Sequence, residues 1–283
     1  MHPMTRLSKY HGLGNDFLVL ATDDALTDDA LTDDARPDDQ YRAAAQRWCD
    51  RRTGIGADGL LILSIDPVDA DILKMVLYNA DGSRAEMSGN GIRCLAQAAY
   101  RAQGRTGEQS YMISTDAGLR PVIVTPTEDP NTVQASVAMG SVGELDVPNG
   151  WHTLQCDELR PVAHLSLGNP HSVVGVEDVG VPDLAHLGSL VPHVNLEIIE
   201  PGPELNGVTM RVHERGAGIT MACGTGACAA AWAAASWGLV PAGSTEIVVH
   251  MDGGDARVRL HEPAVDHVTL IGPATFVCDI LIS

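Results

Sequence analysis

A chain of 283 residues with 45% hydrophobic side chains buries a substantial core and has the size of two domains rather than one. Its formal net charge of −19 argues against nucleic acid and anionic membrane surfaces as partners, because both are gripped by clustered Lys and Arg. No apolar run reaches the roughly 18–20 residues of a membrane span, and six scattered cysteines do not form a disulfide scaffold.

The opening MHPMTRLSKYHGLGNDF lacks the charged-then-apolar layout of a signal peptide, so the expected location is the cytoplasm, where thiols stay free. Within and after it, LSKYHG and DFLVLA predict strands. From Ala21 to Asp39 a TDDAL repeat carries eight aspartates, expected as a solvated acidic insertion between ordered segments. A cation loop of the EF-hand kind would need a turn-forming Gly, which this stretch lacks. LLILSI and ILKMVLYNA predict further strands, the latter ending at a DG turn. SGNGIRCLAQAAYRAQG predicts a helix, with small residues at its start, an alanine-rich interior and Gly104 just past its end. The β-rich segments YMISTDAG, LRPVIVTP and VQASVAMG follow.

The second half repeats this order. AHLSLGNPHSVVGV and VTMRVHERG read as strands, and CGTGACAAAWAAASWG as a helix closed by Gly238. EIVVHM, DARVRL, VTLIG and TFVCDILI are strand-like. Ser88 and Cys223 thus occupy matching points, each just before a Gly-x-Gly that opens a helix. Such a duplication predicts two α/β domains related by an approximate two-fold, each offering a helix N-terminus to a shared cleft. Unpaired N–H groups of a first helical turn attract an anion, and Gly-x-Gly lets a carboxylate approach the backbone.

A thiol in that position is expected to have its pKa lowered toward about 3.5–7.5 and to act as a base. The plain alternative for Cys223 is a small buried side chain. One acid/base group on each face of a substrate carbon inverts that centre. Cys49, Cys94, Cys156, Cys228 and Cys278 are expected in the core. Cys223-x4-Cys228 has no matching Cys or His pair nearby, so no metal site is expected. Only two lysines occur, Lys9 and Lys74, and pyridoxal phosphate chemistry requires a Schiff-base lysine.

Six motifs stand in order along the chain: HGLGNDF (His11 to Phe17), DRRTGIGADG (Asp50 to Gly59), YNADGSRAEMSGNGIRC (Tyr78 to Cys94), LGNPH (Leu167 to His171), Val194–Asn195, and ERGAGITMACGTGAC (Glu214 to Cys228). With them the chain resembles the diaminopimelate epimerase family over nearly its whole length. The resemblance implies an α/β (α+β) fold of two pseudo-symmetric domains, each a curved, mostly antiparallel sheet or barrel around a central helix, with the active site in the interdomain cleft. Residues 1–132 with 272–283 would form the N-terminal domain, carrying the acidic insertion 21–39, and residues 133–271 the C-terminal one. The implied activity is interconversion of LL- and meso-diaminopimelate, in lysine and peptidoglycan biosynthesis, by two-base proton transfer. No cofactor or metal is implied, and the partners would be a small-molecule substrate and a second copy of the chain.

Carried over at matching positions, Asn15, Asn79, Asn169, Asn195, Glu214 and Arg215 would hold the distal amino acid end of the substrate, a zwitterion suited to Arg and carboxylate partners. Gly89, Asn90, Gly224 and Thr225 would supply the donors for the reacting carboxylate, and thereby stabilise the developing carbanion. His171 and Glu214 would tune the reacting groups, with Cys223 as one catalytic residue. Ser88 is the departure, since the family normally has its second catalytic Cys there. A serine hydroxyl is almost never ionised near neutral pH, and no general base accompanies this one in the sequence. Epimerisation is therefore expected to be impaired in this form. Two alternatives stay open: an enzyme of the related proline racemase fold acting on another amino acid as epimerase or dehydratase, and a catalytically silent amino acid-binding homologue.

Overall fold

From Gly59 to Leu63 the Gly59–Ile65 strand, GLLILSI, has no polar residue on either face, and in the computed structural model, which describes residues 5–22, 36–261 and 264–282, both faces of that stretch are covered. Leu60 and Ile62 pack outward on Ala45 and Cys49 of a helix, α1 (Arg36–Cys49). Leu61 turns the other way, against Gly91 of a second helix, α2 (Gly89–Ala102). Strand alternation of period two, with a helix on each side, explains why Leu60 to Leu63 are all apolar and buried. Each leucine so buried stabilises the fold by about 1.5–3 kcal/mol.

Two compact units result, Met1–Val137 with Pro273–Ser283 and Ala138–Gly272. In the first, eight strands close into a ring, beginning with Thr5–Gly12, Asn15–Thr22, Gly59–Ile65 and Ile72–Asn79. Gln109–Thr115, Gly118–Pro126, Thr132–Ser141 and the end of His267–Ile282 complete it, the last pairing back onto Thr5–Gly12. Two contacts in the ring are parallel, Phe17↔Gly59 onward and Ile72↔Met112 onward. Every α2 residue from Gly89 to Tyr100 is buried, so the ring encloses α2 and α1 covers it from outside.

The second unit repeats the pattern. Val162–Ser166 pairs with Pro170–Gly175, which runs parallel to Asn195–Pro201. Gly207–Glu214 follows antiparallel, Glu246–Met251 parallel to it, then Gly254–Leu260 and the start of His267–Ile282. A short outer helix, α3 (Leu184–Leu190), lies on Val174, Leu196 and Ile198. The inner helix, α4 (Gly224–Trp237), is apolar on nearly all sides, as a helix inside a ring must be. Gly238 ends it at φ +71°, the left-handed position that a helix C-terminus favours glycine for.

Four expectations need correction. The Ala21–Asp39 stretch is not a solvated insertion throughout: Ala21 and Thr22 finish a strand, and Asp38 and Asp39 lie in the first turn of α1, where carboxylates suit the helix dipole. Asp38 also accepts from the Tyr78 hydroxyl at 2.5 Å and pairs with Arg42 and Arg84. Residues 23–35 lie outside the described residues. AHLSLGNPHSVVGV is two strands, because Gly168 at φ +92° turns the chain between them. Helices α1 and α3 and the strand Asn195–Pro201 were not anticipated; α3 spans only seven residues, and NLEIIEP lacks alternation. Cys278 is exposed rather than in the core, since a bulge at Val277 interrupts pairing with Thr5–Gly12 and turns this segment outward.

Gly188 of α3 shows how close the outer helix lies. A Cβ there would sit 2.1 Å from Cγ of His213, on the Gly207–Glu214 strand. Gly188→Ala should therefore destabilise the protein by about 1–3 kcal/mol, the usual cost of overpacking. Urea titration checks it, with a lower midpoint at unchanged slope expected.

Candidate active site

Each inner helix begins with a side-chain cap. Ser88 is extended (φ −140°, ψ 123°), and its Oγ accepts the Gly91 N–H at 3.0 Å. Cys223 is also extended (φ −125°, ψ 114°), and its Sγ accepts the Gly226 N–H at 3.4 Å. The main-chain bonds match as well, Ile92 N–H to the Ser88 carbonyl and Ala227 N–H to the Cys223 carbonyl. In both turns the N–H groups of the two residues after the cap, Gly89–Asn90 and Gly224–Thr225, precede the first intrahelical bond. That is where a helix start addresses an anion.

In the first unit, Asn90 donates from Nδ2 to Asn15 Oδ1 at 3.1 Å, so two of the residues named from the sequence meet directly. Asn15 in turn donates to Asp58 Oδ2 at 2.7 Å. Arg51 bridges Asp58 and Asp16, and Lys9 pairs with Asp16 at 2.8 Å. Burial alone would raise the Asp16 carboxyl, but Arg51 and Lys9 hold it below its usual value. From below, the fully buried Arg93 donates to Asn90 Oδ1 at 2.7 Å and to the Gly89 and Pro273 carbonyls. Asn79 is exposed and donates to Ser83 Oγ within its own turn.

In the second unit, His171 and Asn195 are register partners on neighbouring strands. His171 is fully buried, with Nδ1 2.7 Å from Glu197 Oε1 and Nε2 3.0 Å from Asn169 Oδ1. Asn169 Nδ2 donates to Thr225 Oγ1 at 3.3 Å, and Thr225 Oγ1 lies 3.5 Å from Cys223 Sγ. Asn195 Oδ1 accepts the Arg215 N–H at 2.8 Å, while the Arg215 side chain stays exposed. Glu214 accepts from the Thr220 hydroxyl.

The environment of Cys223 overturns the expectation of a lowered pKa. Burial, with the charges of Glu214 and Glu197 behind it, pushes this thiol well above its ordinary range. The helix N-terminus favours a thiolate, yet desolvation and two carboxyls of like sign outweigh it. In the ligand-free protein Cys223 is a thiol. Cys94, one turn into α2, is a core residue pushed up to about 12 by burial.

Sequence reasoning missed Arg93, Glu197 and the Lys9–Asp16–Arg51–Asp58 cluster. Asp16, Arg51 and Asp58 stood inside the motifs and Lys9 just before the first of them, and the unpaired look of their charges was the available signal. For Glu197 the signal was one carboxylate inside the apolar run NLEII. Among the described residues, no group of three or more His, Cys, Asp or Glu is arranged to hold a metal ion, and no helix is long and apolar enough to cross a membrane.

The shifted thiol has a measurable consequence. At neutral pH iodoacetamide should modify the exposed Cys278 well before Cys223. Glu214→Gln removes a negative charge that raises the thiol, so the pH midpoint of Cys223 alkylation should move down. Peptide mass spectrometry over a pH series checks it, and an upward or absent shift would show that Glu214 does not act on the sulfur through its charge.

A family model described as diaminopimelate epimerase matches residues 7–143 and 164–277. The diaminopimelate epimerase of Thermosynechococcus vestitus is 38% identical over 95% of this chain and 96% of its own length. Among solved structures, a PhzF-family phenazine biosynthesis protein from Bacillus anthracis superposes with a TM-score of 0.73 at 15% identity, covering 99% of both chains. A hydroxyproline epimerase from Agrobacterium vitis does so with a TM-score of 0.66 at 15% identity, covering 99% of this chain and 91% of its own. These structural likenesses establish the two-domain fold, and the full-length sequence matches go further: the chain belongs to the diaminopimelate epimerase family.

Proposed function

We propose that this chain interconverts LL- and meso-diaminopimelate by moving the α-proton, with Cys223 as one acid/base group and Ser88 at the position of the other. The observation that carries the reading is the matched pair of caps. Two helix starts hold a hydroxyl and a thiol in the same backbone conformation, each accepting the N–H three residues on. A two-base inversion requires both caps to address one carbon from opposite faces. Cys223 takes the proton as thiolate, and the electron pair left on the α-carbon spreads into the substrate carboxylate. The Gly89–Asn90 and Gly224–Thr225 N–H groups then stabilise that charge.

The substrate supplies what the resting thiol lacks. Its α-ammonium brings a positive charge beside the sulfur, and a nearby opposite charge favours the thiolate. Asn15, Asn79, Asn169, Asn195, Glu214 and Arg215 hold the distal zwitterion, and His171 tunes Cys223 through Asn169. Cofactor-independent chemistry fits the lysines: Lys9 is tied to Asp16 and the Gly56 carbonyl, which leaves it unsuited to a Schiff base. A cytoplasmic location, a homodimer and the division into two epimerase domains belong to the same reading and rest on the family.

Ser88 favours one secondary outcome. A hydroxyl is a poor base near neutral pH, so Cys223 can lift the α-proton of one stereoisomer and return it to the same face. In D2O that stereoisomer should exchange its α-hydrogen with retained configuration, while the other exchanges very slowly. Ser88→Cys should raise epimerisation by about 10²–10⁴-fold, the usual weight of one acid/base group. NMR of the α-proton with chiral analysis of the product reads both. Unchanged epimerisation in Ser88→Cys with ligand still bound would sink the two-base assignment, and binding without exchange of either stereoisomer would indicate a silent amino acid site.

A further inference from the structure

Strand alternation puts Asn195 and Glu197 on one face of their strand and Val212 and Glu214 on one face of the next, since Glu197 pairs with Val212. Glu197 is fully buried and reaches His171 Nδ1 with Oε1, while Oε2 has no hydrogen-bond partner. It also lies against the helix start: a Cβ on Gly226 would be 2.8 Å from Glu197 Oε1 and 3.3 Å from Cys223 Sγ. A buried carboxylate with one bare oxygen is costly, whereas a shared proton removes most of that cost. Burial does push the Glu197 carboxyl above its ordinary range, with His171 opposing.

The direction of the hydrogen bonds then follows. With one proton between Glu197 Oε1 and His171 Nδ1, the Nε2–H of His171 donates to Asn169 Oδ1. Asn169 Nδ2 donates to Thr225 Oγ1, whose own hydrogen is left to donate to Cys223 Sγ. Were Nε2 bare instead, Asn169 would have to turn its amide over. Thr225 would then donate away from the sulfur, to the Asn169 carbonyl oxygen.

We propose that Glu197 is a positioning residue for Cys223: by sharing a proton with His171 Nδ1 it fixes the Nε2–H tautomer and so aims the Asn169–Thr225 donors at the sulfur. This rests on the assignment of Cys223 as an acid/base group. Glu197 touches no reacting atom and acts through His171. The other charged group acting on the sulfur is Glu214, which accepts from Thr220.

The test uses the full chain labelled with ¹⁵N-histidine, His171 being assigned by the signal lost in His171→Gln. The expected spectrum shows a proton on Nε2; a neutral ring protonated at Nδ1 alone overturns the proposal. In Glu197→Leu the ring loses its fixed tautomer, and losing the Thr225 donor raises the alkylation midpoint of Cys223 by more than losing the Glu197 charge lowers it. Solvent exchange of the diaminopimelate stereoisomer that Cys223 addresses should fall about 10–100-fold in turnover, with KM little changed, the typical weight of an orienting partner of a functional imidazole. Glu197→Gln, whose amide can donate to Nδ1, should restore the tautomer and most of the midpoint.

If Glu197 acted only as a buried charge, Glu197→Gln and Glu197→Leu would lower the midpoint alike, and the proposal would fall. Should Glu197→Leu not fold, the wild-type tautomer and the Glu197→Gln midpoint still decide. Absence of exchange from either stereoisomer in the wild type would remove the proposed reaction. The tautomer and alkylation results would then judge Glu197 alone.

Discussion

The chemistry of this protein depends on one local constraint, the side-chain atom that caps each inner helix. A buried helix start leaves N–H groups that must find acceptors inside the protein. Ser88 Oγ and Cys223 Sγ each take one of them, through Gly91 and Gly226. The same geometry that satisfies the helix also holds a hydroxyl or a thiol beside the N–H groups of the two following residues. The glycines are fixed by space: a Cβ on Gly91 would crowd Ser88, and one on Gly226 would strike Glu197. Cap, first-turn N–H groups and polar side-chain atom are one structure, built twice.

The two copies are supported differently, and that difference decides their chemistry. Behind Ser88 stands a charged framework, Arg93 beneath Asn90 and the Lys9–Asp16–Arg51–Asp58 cluster behind Asn15. Partnered charges of this kind fix side-chain positions. Behind Cys223 stands a chain of groups that can exchange protons or turn their hydrogen bonds, from Glu197 through His171, Asn169 and Thr225. One half is built to hold and the other to respond.

The resting state of Cys223 follows from a balance of magnitudes rather than from its place on the helix. A helix N-terminus contributes roughly 0.3–1 kcal/mol to a charge at its end, up to about 2 when partly buried. Full burial of a thiolate next to carboxyls works against it and is larger. A buried thiol held neutral is protected from oxidation and alkylation, because the thiolate is the reactive form.

The sequence by itself determined the elements whose pattern is local: the inner helices, their glycine-marked ends, most strands, and the repeated Ser/Cys-Gly-x-Gly that caps both inner helices. Its motifs also identified the family and named Asn15 with Asn90, and His171 with Asn169, Thr225 and Cys223, groups that do meet. Only the tertiary structure decided what surrounds them. Glu197 and Arg93 are ordinary charged residues in the chain, and their roles arise because strand register and helix burial remove them from water beside particular partners. The outer helices escaped notice because α1 begins in an aspartate-rich repeat and α3 has seven residues, so packing rather than periodicity holds them in place. The pKa of Cys223 could not be inferred from its neighbours in sequence, since the carboxyls that raise it come from two other strands and burial is a property of the whole unit.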